Sequence, residues 1–419
     1  MVTASKSNRP IDVAVIGGGP AGSALATLLE RAGHHCAVFE AGEFPRYHIG
    51  ESLIPHTFGI LDRLGLLPKL RVSSYPEKYS VRFVSPTGEE STPFYFSETI
   101  EGEGARTWQV ERSSFDQLCL DHAREHAVDV YMGAAVEQVL FNGARATGVR
   151  VRPSEGDPYD LSTQVVVDAS GRSTVIGNQL MLKSPVPGLK KAALWSYYKG
   201  GRRQDGIDAG ETTIFTIRDR GWFWYIPLPD DVVSVGVVAD PDNLFSNGQE
   251  AEAVYAREVN DCVPLLERLK LAKRCARVYG SSKELAYFNR QTSGDGWVMI
   301  GDARAFLDPI YSSGLFLALA SAELAAESIH QALEAKDLTA TRLGSFEPRI
   351  MAGVEVIRRL IHAFYDPNFS FGEFVNRYPA QRRALIDCLV GDVLKDMNDF
   401  KTALEQMTPP PPDLVAGGG

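Results

Sequence analysis

The chain has 419 residues, with 43 Lys and Arg against 53 Asp and Glu and a formal net charge of -10. That length exceeds one small domain and supports a large core, so two intertwined domains with a helical C-terminal extension are expected. The acid excess argues against a nucleic-acid partner, which needs clustered Lys and Arg. Cys36, Cys119, Cys262, Cys275 and Cys388 are scattered, without a CxxC pair or a Cys/His metal spacing. They read as incidental thiols of a reduced, cytoplasmic protein with no metal. The short polar N-terminus has no signal-peptide pattern.

The first recognisable unit is "IDVAVIGGGPAGSALATLLERAGHHCAVFEAG", a strand, a glycine turn, a helix and a second strand. Gly17, Gly19 and Gly22 fit GxGxxG, in which backbone approaches a pyrophosphate and the helix N-terminus offers N–H groups and a positive dipole end. Ala21 belongs to the same turn. The second strand ends at Glu40, where an acid meets a ribose hydroxyl. A decorative glycine turn is the alternative, but strand, turn, helix, strand and acid occur in the order a dinucleotide requires.

Three later segments separate a flavin from a nicotinamide dinucleotide. "GARTWQVERSSFDQLCLDHA" reads as a strand entering a helix, with Arg112 placed to reach phosphate. "QVVVDASGRST" is an apolar strand ending at Asp168. "GDGWVMIGDARAFLDPIYSSGLFLALASAELAA" is a strand ending at Gly301-Asp302, a loop and a long helix. Asp302 can hold a ribityl or ribose hydroxyl, and the helix N-terminus can face the pyrimidine edge of a flavin. That helix carries Glu323 and Glu327 and is too short to span a bilayer, so no membrane insertion is expected.

Between these lies "GWFWYIPLP", residues 221–229. In a strand alternate side chains share a face, so Trp222, Trp224 and Ile226 face one way and Phe223 and Tyr225 the other. A doubly buried core strand explains the pattern, and so does a wall between a reactive centre and a substrate. The two readings are compatible, because a wall must also be packed.

Four stretches, "GGGPAGSALA", "FPRYHIGESLIPHTFGILDRLGL", "GWFWYIP" and "GDARAFLDPIYSSG", resemble the glutathione-reductase-type FAD monooxygenases and, within them, the flavin-dependent halogenases of phenol and pyrrole type. The resemblance runs from about Asp12 to about Ala326. Arg46, Gly50, Glu51 and Ser52 match the FPR…GES segment, and Trp222, Trp224, Ile226 and Pro227 the WxWxIP signature. The resemblance implies an enzyme that uses FAD as FADH2, O2 and chloride or bromide to make hypohalous acid. Arg46 and Ser52 would then lie at the cofactor, and Trp222 and Trp224 would keep the substrate from it.

The resemblance also implies a lysine beyond the GES segment. In "SSYPEKYSVRF" Lys78 takes that place, with Tyr75 and Phe83 as flanking aromatics. Lys78 would hydrogen-bond the oxidant or carry the halogen on nitrogen, and burial would favour its neutral amine. A solvated Glu-Lys pair is the alternative, and Glu77 beside it would hold the lysine charged. In tryptophan halogenases an acid stands where this chain has Tyr311. Phenol- and pyrrole-type enzymes have an aromatic there, which implies an electron-rich phenol or pyrrole, free or tethered to an acyl carrier. Ser312, Ser313 and Gly314 would follow near the flavin, Ser312 as a catalytic residue and Ser313 with Gly314 as the halide site. Helix capping by Ser312 or Ser313 is equally open. Leu315-Phe316 stands where the family usually has a His, and Arg304 where a small residue is usual.

A single-component aromatic hydroxylase is the nearest rival. Its DG motif maps to "DASGRSTVIG", with Ser170 at the motif's acid and Gly177 at its arginine, which favours an enzyme fed by a separate flavin reductase. An isoprenoid-lipid reductase and a non-catalytic flavin sensor complete the alternatives. The expected fold is α/β: a discontinuous Rossmann-like FAD-binding domain (residues 1–81, 105–185 and 274–343) with an inserted antiparallel-sheet substrate domain (82–104 and 186–273). A helical C-terminal region (344–405), which helps close the pocket and whose Phe364, Phe369 and Phe371 are core residues in the alternative reading, precedes a disordered tail (406–419).

Overall fold

The computed structural model describes residues 9–217, 221–245, 248–281 and 285–414. Strand Val13–Ile16 lies inside a six-stranded sheet, parallel to Cys36–Phe39 on one side and Val165–Asp168 on the other. Trp297–Met299 and Asp129–Tyr131 extend it in parallel, and Ser293–Gly294 adds an antiparallel edge. Parallel strands are covered on both faces, hence their unbroken apolar runs. Val13 and Val15 pack with Leu25 and Leu29 of helix Pro20–Arg31. Ala14 and Ile16 pack on a three-stranded meander, Ala134–Asn142, Arg145–Pro153 and Tyr159–Ser162. The fold is the expected α/β one, with the helical C-terminal region present.

A second sheet has eight strands. Its order is Lys273–Arg274, Ala192–Lys199, Val232–Ala239, Gly221–Pro227, Thr212–Ile217, Ser80–Val84 and Phe94–Tyr95, with Tyr279–Ser281 also paired to Ala192–Lys199. It is antiparallel except where Ser80–Val84 runs parallel to Thr212–Ile217. Its outer face, with Phe223, Tyr225 and Val235, is covered by helices Ala251–Asp261 and Val263–Leu269. Its inner face, with Trp195, Trp222, Trp224 and Ile226, joins the main core. The sheet crosses two expected boundaries: residues 81 and 82 both lie inside Ser80–Val84, and pairing continues past residue 273 to Ser281. Backbone pairing, invisible to composition, sets these limits.

Helix Gly314–Ala335 packs along Pro20–Arg31, and Glu347–Tyr365 follows it into the C-terminal region. No described helix is long and apolar enough to cross a membrane. Residues 406–414, expected as part of a disordered tail, are instead held in place. Thr408 is buried and donates to Asp366 at 2.8 Å, and Arg358 donates to the Pro412 carbonyl at 2.7 Å. A proline-rich segment lacks N–H donors but keeps its carbonyl acceptors, which a buried arginine can use. Residues 415–419 of that tail lie outside the described residues.

Candidate active site

The cofactor seat starts at the end of strand Val13–Ile16. Gly17 turns the chain with φ +99°, and an added Cβ would sit 2.6 Å from the Ala169 carbonyl oxygen, so only glycine fits. Gly19 is the N-cap of helix Pro20–Arg31, and Ala21 and Gly22 lie buried in its first turn, which contains no acid to neutralise the positive helix end. Glu40 closes the turn by accepting from the backbone N–H of Gly18 at 2.8 Å and of Gly42 at 2.9 Å. Arg46 stands 3.7 Å from Glu40 and 3.6 Å from Asp116. Asp302 follows Gly301 after strand Trp297–Met299, and burial pushes its carboxyl up to about 6. Its carboxylate makes no hydrogen bond to a described residue; only its backbone carbonyl accepts, from Tyr287. An open helix end, an acid at the second strand and a donor-poor carboxylate near the first fit the pyrophosphate, ribose and ribityl groups of FAD. Arg112, expected to reach phosphate, has protein partners of its own. Its guanidinium is clamped on Asp116 at 2.7 and 3.0 Å and donates to the Ile49 and Gly50 carbonyls.

The indoles occupy the inner face of the second sheet. Trp222 and Trp224 have ring centroids 6.1 Å apart, and Trp195, which no motif marked, lies 6.3 Å from Trp224. Gly236 makes this possible. It pairs with Trp195 on one side and Trp224 on the other, and a Cβ there would lie 2.1 Å from the Trp224 ring. Each indole N–H has an acceptor. Trp222 donates to the Tyr365 hydroxyl at 2.8 Å, Trp224 to Ser234 at 3.0 Å, and Trp195 to Tyr47. Tyr365 donates in turn to Asp308 at 3.0 Å, joining helix Glu347–Tyr365 to the loop before helix Gly314–Ala335. Burial pushes Asp308 up to about 6.

Lys78 is 0% exposed. Its Nζ donates to Ser52 at 2.8 Å and to the Leu53 carbonyl at 3.3 Å, and lies 5.5 Å from the centre of the Phe96 ring. Burial alone pulls its pKa from 10.5 down to about 7. Glu77 does not counter this. In strand Glu77–Lys78 the two side chains point to opposite faces, and Glu77 is taken by Arg106 at 2.6 Å and by the Tyr79 hydroxyl at 2.6 Å. The solvated-pair reading of Lys78 therefore fails. The flanking aromatics lie elsewhere: the Tyr75 hydroxyl bonds Ser114, and Phe83 packs edge-on against Phe94. Ser52 is 3.0 Å from Thr212, which accepts from Gln109 at 2.9 Å. Ser52 thus stands at Lys78 within a buried polar chain whose other members, Thr212 and Gln109, carry no sequence signal.

At the start of helix Gly314–Ala335, Ser312 adopts φ +52°, and Ser313 sits at the N-cap position without a side-chain capping bond. The capping explanation for these serines is thereby removed. Ser313 is buried, while an added Cβ on Gly314 would meet nothing within 4 Å. Tyr311 is buried with its hydroxyl 3.2 Å from the Leu360 carbonyl and its ring edge-on to Phe364.

The tryptophan halogenase family model matches residues 12–105 and 96–370. The chain is 30% identical over 408 residues to the 1H-pyrrole-2-carbonyl-[peptidyl-carrier protein] chlorinase of Pseudomonas fluorescens, covering 92% of this chain and 90% of that one. It is also 30% identical to the corresponding brominase of Pseudoalteromonas luteoviolacea, over 94% of this chain and 96% of the relative. Among solved structures, the flavin-dependent brominase Bmp2 superposes with a TM-score of 0.86 at 28% identity, covering 95% of this chain and 99% of that one. The myxobacterial chondrochloren halogenase CndH gives 0.80 at 29% identity, covering 95% and 97%.

Proposed function

We propose, since the chain belongs to the tryptophan halogenase family of flavin-dependent halogenases, that it halogenates an electron-rich pyrrole or phenol ring beside Lys78. It is an oxidoreductase whose cofactor is FAD. The chemistry supplied by bound FADH2 is the oxidation of chloride or bromide by O2 to hypohalous acid. The observation that carries the reading is Lys78: wholly enclosed, hydrogen-bonded to Ser52 and turned away from the one acid next to it. An amine with a pKa near 7 is available neutral at physiological pH, either to hold the oxidant by a hydrogen bond or to take halogen on nitrogen and pass it on. Trp195, Trp222 and Trp224 divide the cofactor side from the ring to be halogenated. Ser313 and Gly314 offer a hydroxyl and backbone N–H groups for the halide, with Ser312 shaping the turn. Tyr311, which carries no charge at neutral pH, suits a ring that needs no carboxylate to stabilise its cation.

A ring presented as a carrier-protein thioester is favoured over a free acid, because the two relatives that match nearly end to end are named for such substrates. A separate flavin reductase supplies FADH2 in this reading. The test combines the protein with FAD, a reductase, O2 and bromide, and offers carrier-bound pyrrole-2-carboxyl and a free phenol. Mass spectrometry should find ring bromination, with the tethered pyrrole giving the larger yield. Ring hydroxylation would establish the hydroxylase alternative, and peroxide without ring product would refute both.

A further inference from the structure

Glu51 plays no part in the chemistry described above, yet its carboxyl is only 3% exposed. Its neighbour Ser52 meets Lys78 and Thr212, whereas Glu51 meets Tyr197 of strand Ala192–Lys199. There Oε1 accepts from the Tyr197 hydroxyl at 2.7 Å. Tyr197 and Tyr47 are 2.9 Å apart, and Tyr47 accepts the indole N–H of Trp195. The direction of this chain is fixed at both ends. An indole N–H can only donate, and with Oε1 accepting from Tyr197 the protons between them point toward Glu51. Ser234, the acceptor of the Trp224 indole, faces the same carboxyl from strand Val232–Ala239. Oε2 itself closes no hydrogen bond. The carboxyl thus ends one ordered chain from Trp195 and stands beside the acceptor of Trp224.

A bare packing role accounts poorly for this placement. Burying a carboxyl without a cation in contact is unfavourable, and an apolar side chain would fill the space at lower cost. We propose that Glu51 is a positioning residue of the indole partition, the acceptor that ends the Trp195 chain and the neighbour of Ser234 beneath Trp224, setting these rings so that oxidant reaches Lys78 and the substrate ring does not reach the flavin. The proposal rests on the halogenase reading above for its consequence, and on the hydrogen-bond chain alone for its structure.

The test uses full-length protein with FAD, comparing wild type with Glu51→Ala, Glu51→Gln and Tyr197→Phe. The last breaks the chain without emptying the carboxyl site. Two quantities are read: the tryptophan near-ultraviolet circular dichroism without turnover, and brominated ring per O2 consumed. Glu51→Ala and Tyr197→Phe should both alter the indole spectrum and lower the bromination yield at least about fivefold, with FAD affinity held within about twofold. Glu51→Gln, whose amide oxygen still accepts from Tyr197, should stay close to wild type in both. Unchanged indole spectra in Glu51→Ala and Tyr197→Phe overturn the proposal. So does a loss in Glu51→Gln as large as in Glu51→Ala, which would assign the role to charge, or a loss of FAD binding in step with yield, which would place Glu51 in the cofactor seat. If wild type brominates neither ring but the spectra change as expected, the halogenase reading fails and the positioning role stands.

Discussion

Burial pulls the Lys78 amine from 10.5 to about 7, and two pH dependences follow. Below about pH 7 folded and unfolded chains both carry the proton, and the fold bears the full penalty of enclosing an ammonium. Between about 7 and 10.5 the folded chain has released the proton while the unfolded chain keeps it, so stability rises with pH across that window. Lys78→Met, which keeps the volume and removes the charge, should therefore raise the melting temperature more at about pH 6 than at about pH 9, by about 1–3 °C. Equal shifts would mean a solvated lysine. In turnover, the proposed role of a neutral amine predicts that ring bromination climbs as pH passes about 7 while O2 consumption does not. A rate that falls through the same range would favour the ammonium as a hydrogen-bond donor. The sequence marked this residue but misjudged its neighbour: adjacency suggested that Glu77 would hold Lys78 charged. Strand alternation turns Glu77 to the opposite face, where Arg106 takes it.

Element by element, the alternation of strand Gly221–Pro227 was readable from its residues, because period-2 geometry fixes which side chains share a face. What gives the inner face its shape was not. Gly236 reads in sequence as a weak spot in a valine-rich strand, whereas in the sheet it is the gap between two indoles. Gly236→Val should clash with the Trp224 ring, at a penalty of about 1–3 kcal/mol or more, lowering thermal stability and bromination yield together. A variant with wild-type melting and yield would show that the ring does not lie over Gly236. The Trp222–Tyr365–Asp308 chain ties residues far apart in sequence and left no periodic trace. Tyr365→Phe keeps the packing but strands a buried indole N–H and a buried carboxyl oxygen, a loss of about 1–3 kcal/mol. It should also send more of the consumed O2 to peroxide, as a peroxidase-coupled assay would read. An unchanged peroxide fraction would confine the C-terminal helix to a packing role.

Across the whole molecule, the order of strand, glycine turn, helix and acid made the cofactor fold legible, because each step is local in sequence. The second sheet was less so. Ser80–Val84 enters it parallel to Thr212–Ile217, and Tyr279–Ser281 rejoins it from beyond its expected end, through pairings that local composition does not encode. The ordered segment 406–414 escaped for the same reason: its acceptors meet Arg358 and Asp366 only once the C-terminal helices are assembled. These long-range contacts frame the proposed division of space, in which the indoles separate the cofactor seat from Lys78. Its most direct test is brominated ring formed per O2 consumed, in wild type and in Lys78→Met. The division predicts that the variant consumes O2 within about twofold of wild type while ring bromination falls at least about a hundredfold. Bromination by Lys78→Met at more than about half the wild-type yield would contradict it.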